Sequence, residues 1–380
     1  MRQLFLLPLL ALAACQAPPT PTETTDRLLY VGTYTKQEAH VDGKADGIYH
    51  YTTKQEALQD RAATTDIINP SYLAIDSETA LLYAVSEIGP DVDSSGQVVA
   101  YQIQQDGSLE ELNRQPTFGF APCYVSLHQD GSAVFIANYV GGTVAVYPRL
   151  ADGKLGEASQ TWTFEGKGPH PEQEAAHPHC ILPSPDGRYI YVADKGSDQV
   201  AGFRWNAAEQ VMEPLDPPFT KVQSGAGPRH LSFHPTLPYL YLINELNSTV
   251  DVFAYQPDSG SLTPLQSITT LPEEYQGANA CADIHLSPDG AFLYASNRGH
   301  NSLAIYQVGA EGRLSPKGFS PTGGDFPRNF MITPDGQWLY AANQNSDNIV
   351  VFERDSTDGS LERTKAYECP TPVCLKTYTP

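Results

Sequence analysis

The chain alternates short apolar runs with clusters of Gly, Pro, Asp and Asn, the pattern of many short strands rather than long helices. One run shape recurs: an aromatic, two small or apolar residues, often a small polar one, then a variable residue. It reads Tyr30-Val31-Gly32-Thr33-Tyr34, Tyr83-Ala84-Val85-Ser86-Glu87, Phe135-Ile136-Ala137-Asn138-Tyr139 and Tyr191-Val192-Ala193-Asp194-Lys195. It continues as Tyr241-Leu242-Ile243-Asn244-Glu245, Tyr294-Ala295-Ser296-Asn297-Arg298 and Tyr340-Ala341-Ala342-Asn343-Gln344. The seven copies are spaced 53, 52, 56, 50, 53 and 46 residues apart, a period that marks a repeat architecture.

Turns such as Pro185-Asp186-Gly187, Pro288-Asp289-Gly290 and Pro334-Asp335-Gly336 precede most copies. A strand such as Thr249-Val250-Asp251-Val252-Phe253 follows, then a Gly-containing turn such as Asp358-Gly359-Ser360-Leu361. Each unit thus holds about four short strands, the content of one propeller blade. The expected fold is all-β, a seven-bladed β-propeller over residues 28–380 with no second domain. The first copy has no Pro-headed strand before it. The last Pro head, Pro370-Thr371-Pro372-Val373-Cys374-Leu375, has no copy after it. The N- and C-terminal segments are therefore expected to close one shared blade, which removes a free sheet edge.

Composition adds the compartment. Residues 1–14 read as a signal peptide, with Arg2 as its positive start and Leu4 to Leu12 as its apolar core. Leu12-Ala13-Ala14-Cys15 resembles the lipobox of bacterial lipoproteins, which makes Cys15 the expected lipidation site. Residues 15–27, rich in Pro and Thr, read as the tether. The expected location is an exported lipoprotein, on the periplasmic face of the outer membrane if the host is Gram-negative, because Gln16 is not Asp. No run of about 18 apolar residues occurs, so the lipid would be the sole membrane contact. Net charge of -21 excludes a nucleic-acid partner. A monomer is expected. Of six cysteines, Cys123, Cys180 and Cys281 read as buried small hydrophobes, while Cys369 and Cys374 are spaced for a loop disulfide.

In a propeller, equivalent positions of successive blades form rings around the axis. Alignment on the Pro heads gives Ser71, Cys123, His179, Arg229, Ala282, Arg328 and Val373. Alignment on the strand endings gives Tyr34, Glu87, Tyr139, Lys195, Glu245, Arg298 and Gln344, with Asn138, Asp194, Asn244, Asn297 and Asn343 beside them. Arg229, Arg298, Arg328, Lys195 and His179 are thus gathered on the axis of an acidic chain. An anionic small-molecule site explains the set, because guanidinium groups grip carboxylate or phosphate. The alternative is that these cations pair with Glu87 and Glu245 to satisfy buried charge. His177-Pro178-His179 heads one blade, and a joint metal site there is not expected. No metal and no cofactor are expected.

Several strings are similar to those of the seven-bladed lactonase family, typified by propeller-type 6-phosphogluconolactonases and related to fungal carboxy-muconate lactonising enzymes. They are Tyr30 to Thr35, Gly225-Ala226-Gly227-Pro228-Arg229-His230-Leu231, Asn244-Glu245-Leu246, Ser287-Pro288-Asp289-Gly290, Ser296-Asn297-Arg298-Gly299, Pro327-Arg328 and Ala342-Asn343-Gln344. The resemblance covers roughly Leu28 to the C-terminus. It implies a metal-free catalytic set of a His, two Arg and a Glu, falling here on His177 or His179, Arg229, Arg298 and Glu245. Arg328, Lys195, Asn297, Asn343 and Glu87 are the expected substrate-binding residues. Glu172 stands where the family pattern often carries an Arg after Gly166-Lys167-Gly168-Pro169. The expected activity is hydrolysis of a small anionic, sugar-type lactone, with a histidine as base and a histidine-like ionisation in the pH profile. A lactonising cycloisomerase, or a non-enzymatic propeller binding a sugar, cell-wall fragment or protein, are the alternatives.

Overall fold

The computed structural model describes residues 27–38, 40–54 and 56–380. Cys15, the signal peptide and residues 15–26 of the tether lie outside them. Arg27, grouped with the tether by composition, already opens the first strand, Arg27–Thr33.

Every regular element among the described residues is a strand. Seven four-stranded antiparallel sheets follow one another along the chain. Six use consecutive strands, as Pro228–Phe233, Tyr239–Asn244, Thr249–Tyr255 and Leu262–Thr269 do. The seventh is composite. The C-terminal strand Pro372–Tyr378 pairs with Arg27–Thr33, then come Ile48–Lys54 and Ala57–Thr64. Its register sets Leu28 opposite Tyr378 and Val31 opposite Leu375. The first strand of each sheet packs on the first strands of both neighbouring sheets, and these contacts run full circle. The result is the expected seven-bladed propeller with both chain ends in one blade.

The recurring run is the second strand of each blade. Both of its faces are covered by adjacent blades, so it is apolar throughout rather than alternating; Tyr241, Leu242 and Ile243 are all fully buried. Its leading tyrosine also joins blade to blade. The hydroxyls of Tyr30, Tyr83, Tyr241 and Tyr294 donate to the carbonyls of Gly107, Gly153, Gly312 and Gly359 at 2.8–2.9 Å, and Tyr191 donates to Gly260. Each acceptor is the glycine of the outer hairpin of the next blade. All five have φ between +72° and +84°, where a side chain is strained, which is why the turn carries Gly. At the ring's closure Tyr340 instead donates to the Glu56 carboxylate, which is also paired with Arg27 at 3.1 Å.

One expectation fails. Cys369 and Cys374 are free thiols. Cys374 sits on the innermost strand opposite Gly32, whereas Cys369 packs in a separate core cluster with Tyr51 and Ile349. Cys369 lies in the connection between the strands Leu361–Glu368 and Pro372–Tyr378 and Cys374 on the second of them, and their sulfurs enter different cores, so short sequence spacing does not bring them together. Burial pushes both thiols up, to about 12 and about 11 respectively.

Candidate active site

The innermost strands present the Pro-head ring through a repeated irregularity. In four blades the Pro pairs across the sheet, the next residue does not, and pairing resumes one residue later. The skipped residues are Cys123, His179, Arg229 and Arg328. A β-bulge of this kind re-aims the extra side chain, here towards the axis. The register also shifts across Ala282 and Asp283, and at Val373. The result is a narrow, water-sized cavity on the axis, lined by Ser71, Glu87, Cys123, His179, Arg229, Arg328 and Val373.

The strand-ending ring supplies the charge beside it. Glu245 accepts from Lys195 Nζ at 2.8 Å and from Arg229 Nε at 2.8 Å, and forms an ion pair with Arg298 Nη2 at 2.9 Å. Burial alone would raise this carboxyl, but Arg298, Lys195 and Arg229 together hold it well below the usual range. Arg298 is pushed down to about 10 by burial, against the pull of Glu245 and with Arg229 and Arg328 adding to the fall. Its Nη2 also donates to the Cys281 carbonyl at 2.9 Å. Lys195 is buried between two carboxylates, Glu245 inside and Glu172 outside at 2.7 Å. Gln173 from the same loop as Glu172 donates to the Lys195 carbonyl at 2.7 Å, which fixes the loop over the mouth.

Arg328 differs from the other cations. Its Nη2 donates to the Tyr34 hydroxyl at 3.0 Å, its guanidinium lies over the Tyr34 ring, and its Nη1 stands 3.5 Å from Gln344 Oε1. No ion-pair partner is found for it among the described residues. A guanidinium that shares the cavity with Glu87 but forms no direct ion pair is available to an anionic ligand.

His179 is the neutral group of the cavity. Burial, then Arg229 and His230, hold its imidazole well below the ordinary 6.5. The histidine-like ionisation expected from sequence is therefore displaced downward. Cys123, with its Sγ 3.7 Å from His179 Nδ1, stays a thiol, because burial pushes its ionisation up. Glu87 faces the cavity and accepts from the Ser71 hydroxyl.

His177, Asn297 and Asn343 stand apart. The His177 ring stacks on Tyr139 at 4.5 Å, with Nδ1 2.9 Å from the Tyr139 carbonyl and Nε2 3.2 Å from Glu174, outside the cavity wall. Asn297 donates to the Thr270 carbonyl at 2.7 Å and accepts from Thr270 and Asn279. Asn343 donates to Thr322 and Asn348. The NH₂ groups of both amides are taken up by these contacts, and neither residue lines the cavity.

A second layer escaped sequence reasoning. The residues after the bulge positions, Tyr72, Tyr124, Cys180, His230, Asp283, Asn329 and Cys374, form a ring beneath the first. Tyr72 and Tyr124 stack at 4.2 Å and abut His230 edge-on, closing the axis. Strict alternation would turn these residues away from the axis; the bulge brings neighbours to the same side. Beyond this plug the axis opens as a wider funnel lined by Ile75, Leu127, Leu286 and Met331 with His285 and Lys376. The concentrated charge lies at the narrow end, and that end is the candidate site.

The comparisons agree with this geometry. The family model described as Lactonase, 7-bladed beta-propeller, matches residues 28–377. The chain is 34% identical over 352 residues to a 6-phosphogluconolactonase of Bacillus subtilis (strain 168), covering 91% of this chain and 97% of that one. It is 34% identical over 341 residues to a 6-phosphogluconolactonase of Formosa agariphila, covering 88% and 94%. The solved structure of a periplasmic gluconolactonase from Pseudomonas aeruginosa superposes with a TM-score of 0.87 at 34% identity, covering 94% of this chain and 100% of that one. Seven blades, a cationic axis and a match over nearly the whole described chain lead to one conclusion: the protein belongs to the seven-bladed β-propeller lactonase family.

Proposed function

We propose that the chain hydrolyses a small, anionic, sugar-type lactone, in the manner of a 6-phosphogluconolactonase, at the cavity bounded by His179, Arg229 and Arg328. The observation that carries the reading is the pairing of a neutral imidazole with two guanidinium groups around one water-sized space. A neutral His179 takes a proton as water attacks the carbonyl carbon. Arg229 stabilises the oxyanion, where preorganised donors contribute most. The ring C–O bond then breaks, the leaving oxygen takes the proton from His179, and the new acid loses its own proton to solvent. Arg328 holds the anionic group of the substrate. Glu245, held ionised by three cations, is a poor base, and its role is to fix Arg229, Arg298 and Lys195. Glu172 places a carboxylate at the mouth, which disfavours a doubly charged group there and favours a carboxylate-bearing lactone over a phosphate ester.

The sequence of residues 1–15 supports export and lipidation at Cys15, so the substrate would be met outside the cytoplasm. Cys15→Ser would then move the protein from the membrane to the soluble fraction. A panel of lactones assayed by proton release tests the activity. Turnover of carboxylated or phosphorylated sugar lactones, lost in Arg229→Ala, supports it. If no lactone is opened while a glycan or protein binds the same face, the propeller is a binding module instead.

A further inference from the structure

His230 lies on the floor of the cavity, and its two nitrogens have opposite partners. Nδ1 is 2.8 Å from Asp283 Oδ1. The carboxylate only accepts, so Nδ1 carries the hydrogen. Nε2 is 3.1 Å from Arg229 Nη1. The guanidinium only donates, so Nε2 carries the lone pair. Both ends demand the same neutral tautomer.

Asp283 is itself fixed. It accepts from His285 Nε2 at 2.9 Å, from Asn329 Nδ2, and from the backbone N–H of Ile284 at 3.0 Å. The consequence reaches Arg229. Its Nε hydrogen goes to Glu245 at 2.8 Å, and Nη1 donates to the Ala282 carbonyl at 2.6 Å and to His230. Three of the five guanidinium hydrogens are then committed. The two on Nη2 remain for the cavity.

We propose that Asp283 and His230 are positioning residues for catalysis: Asp283 holds His230 as the Nδ1–H tautomer, and its Nε2 lone pair turns the Nη2 edge of Arg229 towards the substrate. This rests on the reading of Arg229 as the donor to the lactone. Burial and Arg229 push His230 down to about 4, against the pull of Asp283, so the lone pair persists at working pH. A mis-set tautomer would point an N–H at an N–H and displace the guanidinium. A displacement of about 1 Å costs on the order of 10²-fold in rate.

The test uses the full chain with glucono-1,5-lactone as probe, together with ¹⁵N spectra of histidine-labelled protein. The spectra should show His230 as the Nδ1–H tautomer in wild type and shifted in Asp283→Asn. Asp283→Asn and His230→Leu should lose about 10²-fold in kcat with little change in KM. His230→Gln, whose amide can donate to Asp283 and accept from Arg229, should recover most of that loss. A role in packing alone ranks these variants the other way, because Leu suits an apolar plug better than Gln. An Nε2–H tautomer in wild type overturns the inference, and it needs no turnover to be seen. So does full activity in His230→Leu while Arg229→Ala is inactive, an outcome that leaves the lactonase reading standing. Full activity in Arg229→Ala removes the assigned role of Arg229 and this inference with it.

Discussion

Replacing Glu245 by Gln isolates the electrostatic core of the site. The carboxylate is within 2.8–2.9 Å of Lys195, Arg229 and Arg298. Glutamine keeps the shape and one acceptor oxygen but turns an NH₂ towards cations. Removing one partner from a buried ion pair costs about 3–5 kcal/mol, because the remaining charge stays desolvated. With an unfolding entropy of roughly 2.1 cal/mol/K per residue, about 350 ordered residues give about 0.7 kcal/mol per degree, so Tm should fall by about 4–7 °C. Adding Lys195→Met removes one stranded cation, and the double variant should regain about 1 kcal/mol relative to additivity. The pH dependence has a definite sign. The folded carboxyl ionises well below its ordinary 4.5, the coulombic pull of Arg298, Lys195 and Arg229 outweighing burial. Its stabilisation is therefore complete above about pH 4.5 and is lost as pH falls through the folded value. Calorimetry at pH 7 and at successively lower pH should show the gap between wild type and variant closing below pH 4.5. An unchanged Tm at pH 7 in Glu245→Gln, with Arg229 and Arg298 still paired, would refute the reasoning.

Three further outcomes are expected. Arg328→Gln should raise KM for a carboxylate- or phosphate-bearing lactone about 10- to 100-fold, the loss of one charge-assisted bond, while neutral glucono-1,5-lactone is little affected in steady-state kinetics. His179→Gln should lower kcat about 10²–10⁴-fold, and the wild-type pH–rate profile should stay flat through pH 6.5 and fall only below it, since protonation removes the base and its ionisation is depressed by burial, Arg229 and His230. Tyr241→Phe should cost about 1–3 kcal/mol in denaturant melts by stranding the Gly312 carbonyl.

The architecture was readable because a propeller repeats its instructions. Seven tyrosine- or phenylalanine-led runs, Pro heads and Gly turns recur with a near-constant period, and the orphan halves at Tyr30 and Pro372 give away the shared blade. The meeting of Arg229, Glu245, Arg298 and Lys195 followed from the same alignment, because equivalent positions must converge on the axis. Three things did not follow. His177 and His179 are equally plausible on paper; the bulge at His179 turns that residue, and not His177, to the cavity. Asn297 and Asn343 stand beside ring positions, but their short amides donate to the connections from the preceding blades, at Thr270 and Thr322. The layer of Tyr72, Tyr124, His230 and Asp283 was hidden by the rule that neighbours on a strand face apart, which the bulge suspends. The Cys369–Cys374 pairing failed for a related reason, since separation along the chain says nothing about which core a side chain enters.

The tyrosine–glycine bonds between blades bear on more than stability. His179, Arg229, Arg298 and Arg328 come from four different blades. Their mutual distances are thus a property of the ring's circumference rather than of any one sheet. Hydroxyl bonds tie six of the seven steps from one blade to the next, the Phe135 step having none, and errors in the steps accumulate at the axis as a change in the size of the cavity. Relaxing a single step, even at an outer hairpin remote from the chemistry, would widen or shear the guanidinium frame. The Arg27–Glu56–Tyr340 contact is the step that closes the ring. In a ring built this way the spacing of the arginines is set by the radius and not by the loops.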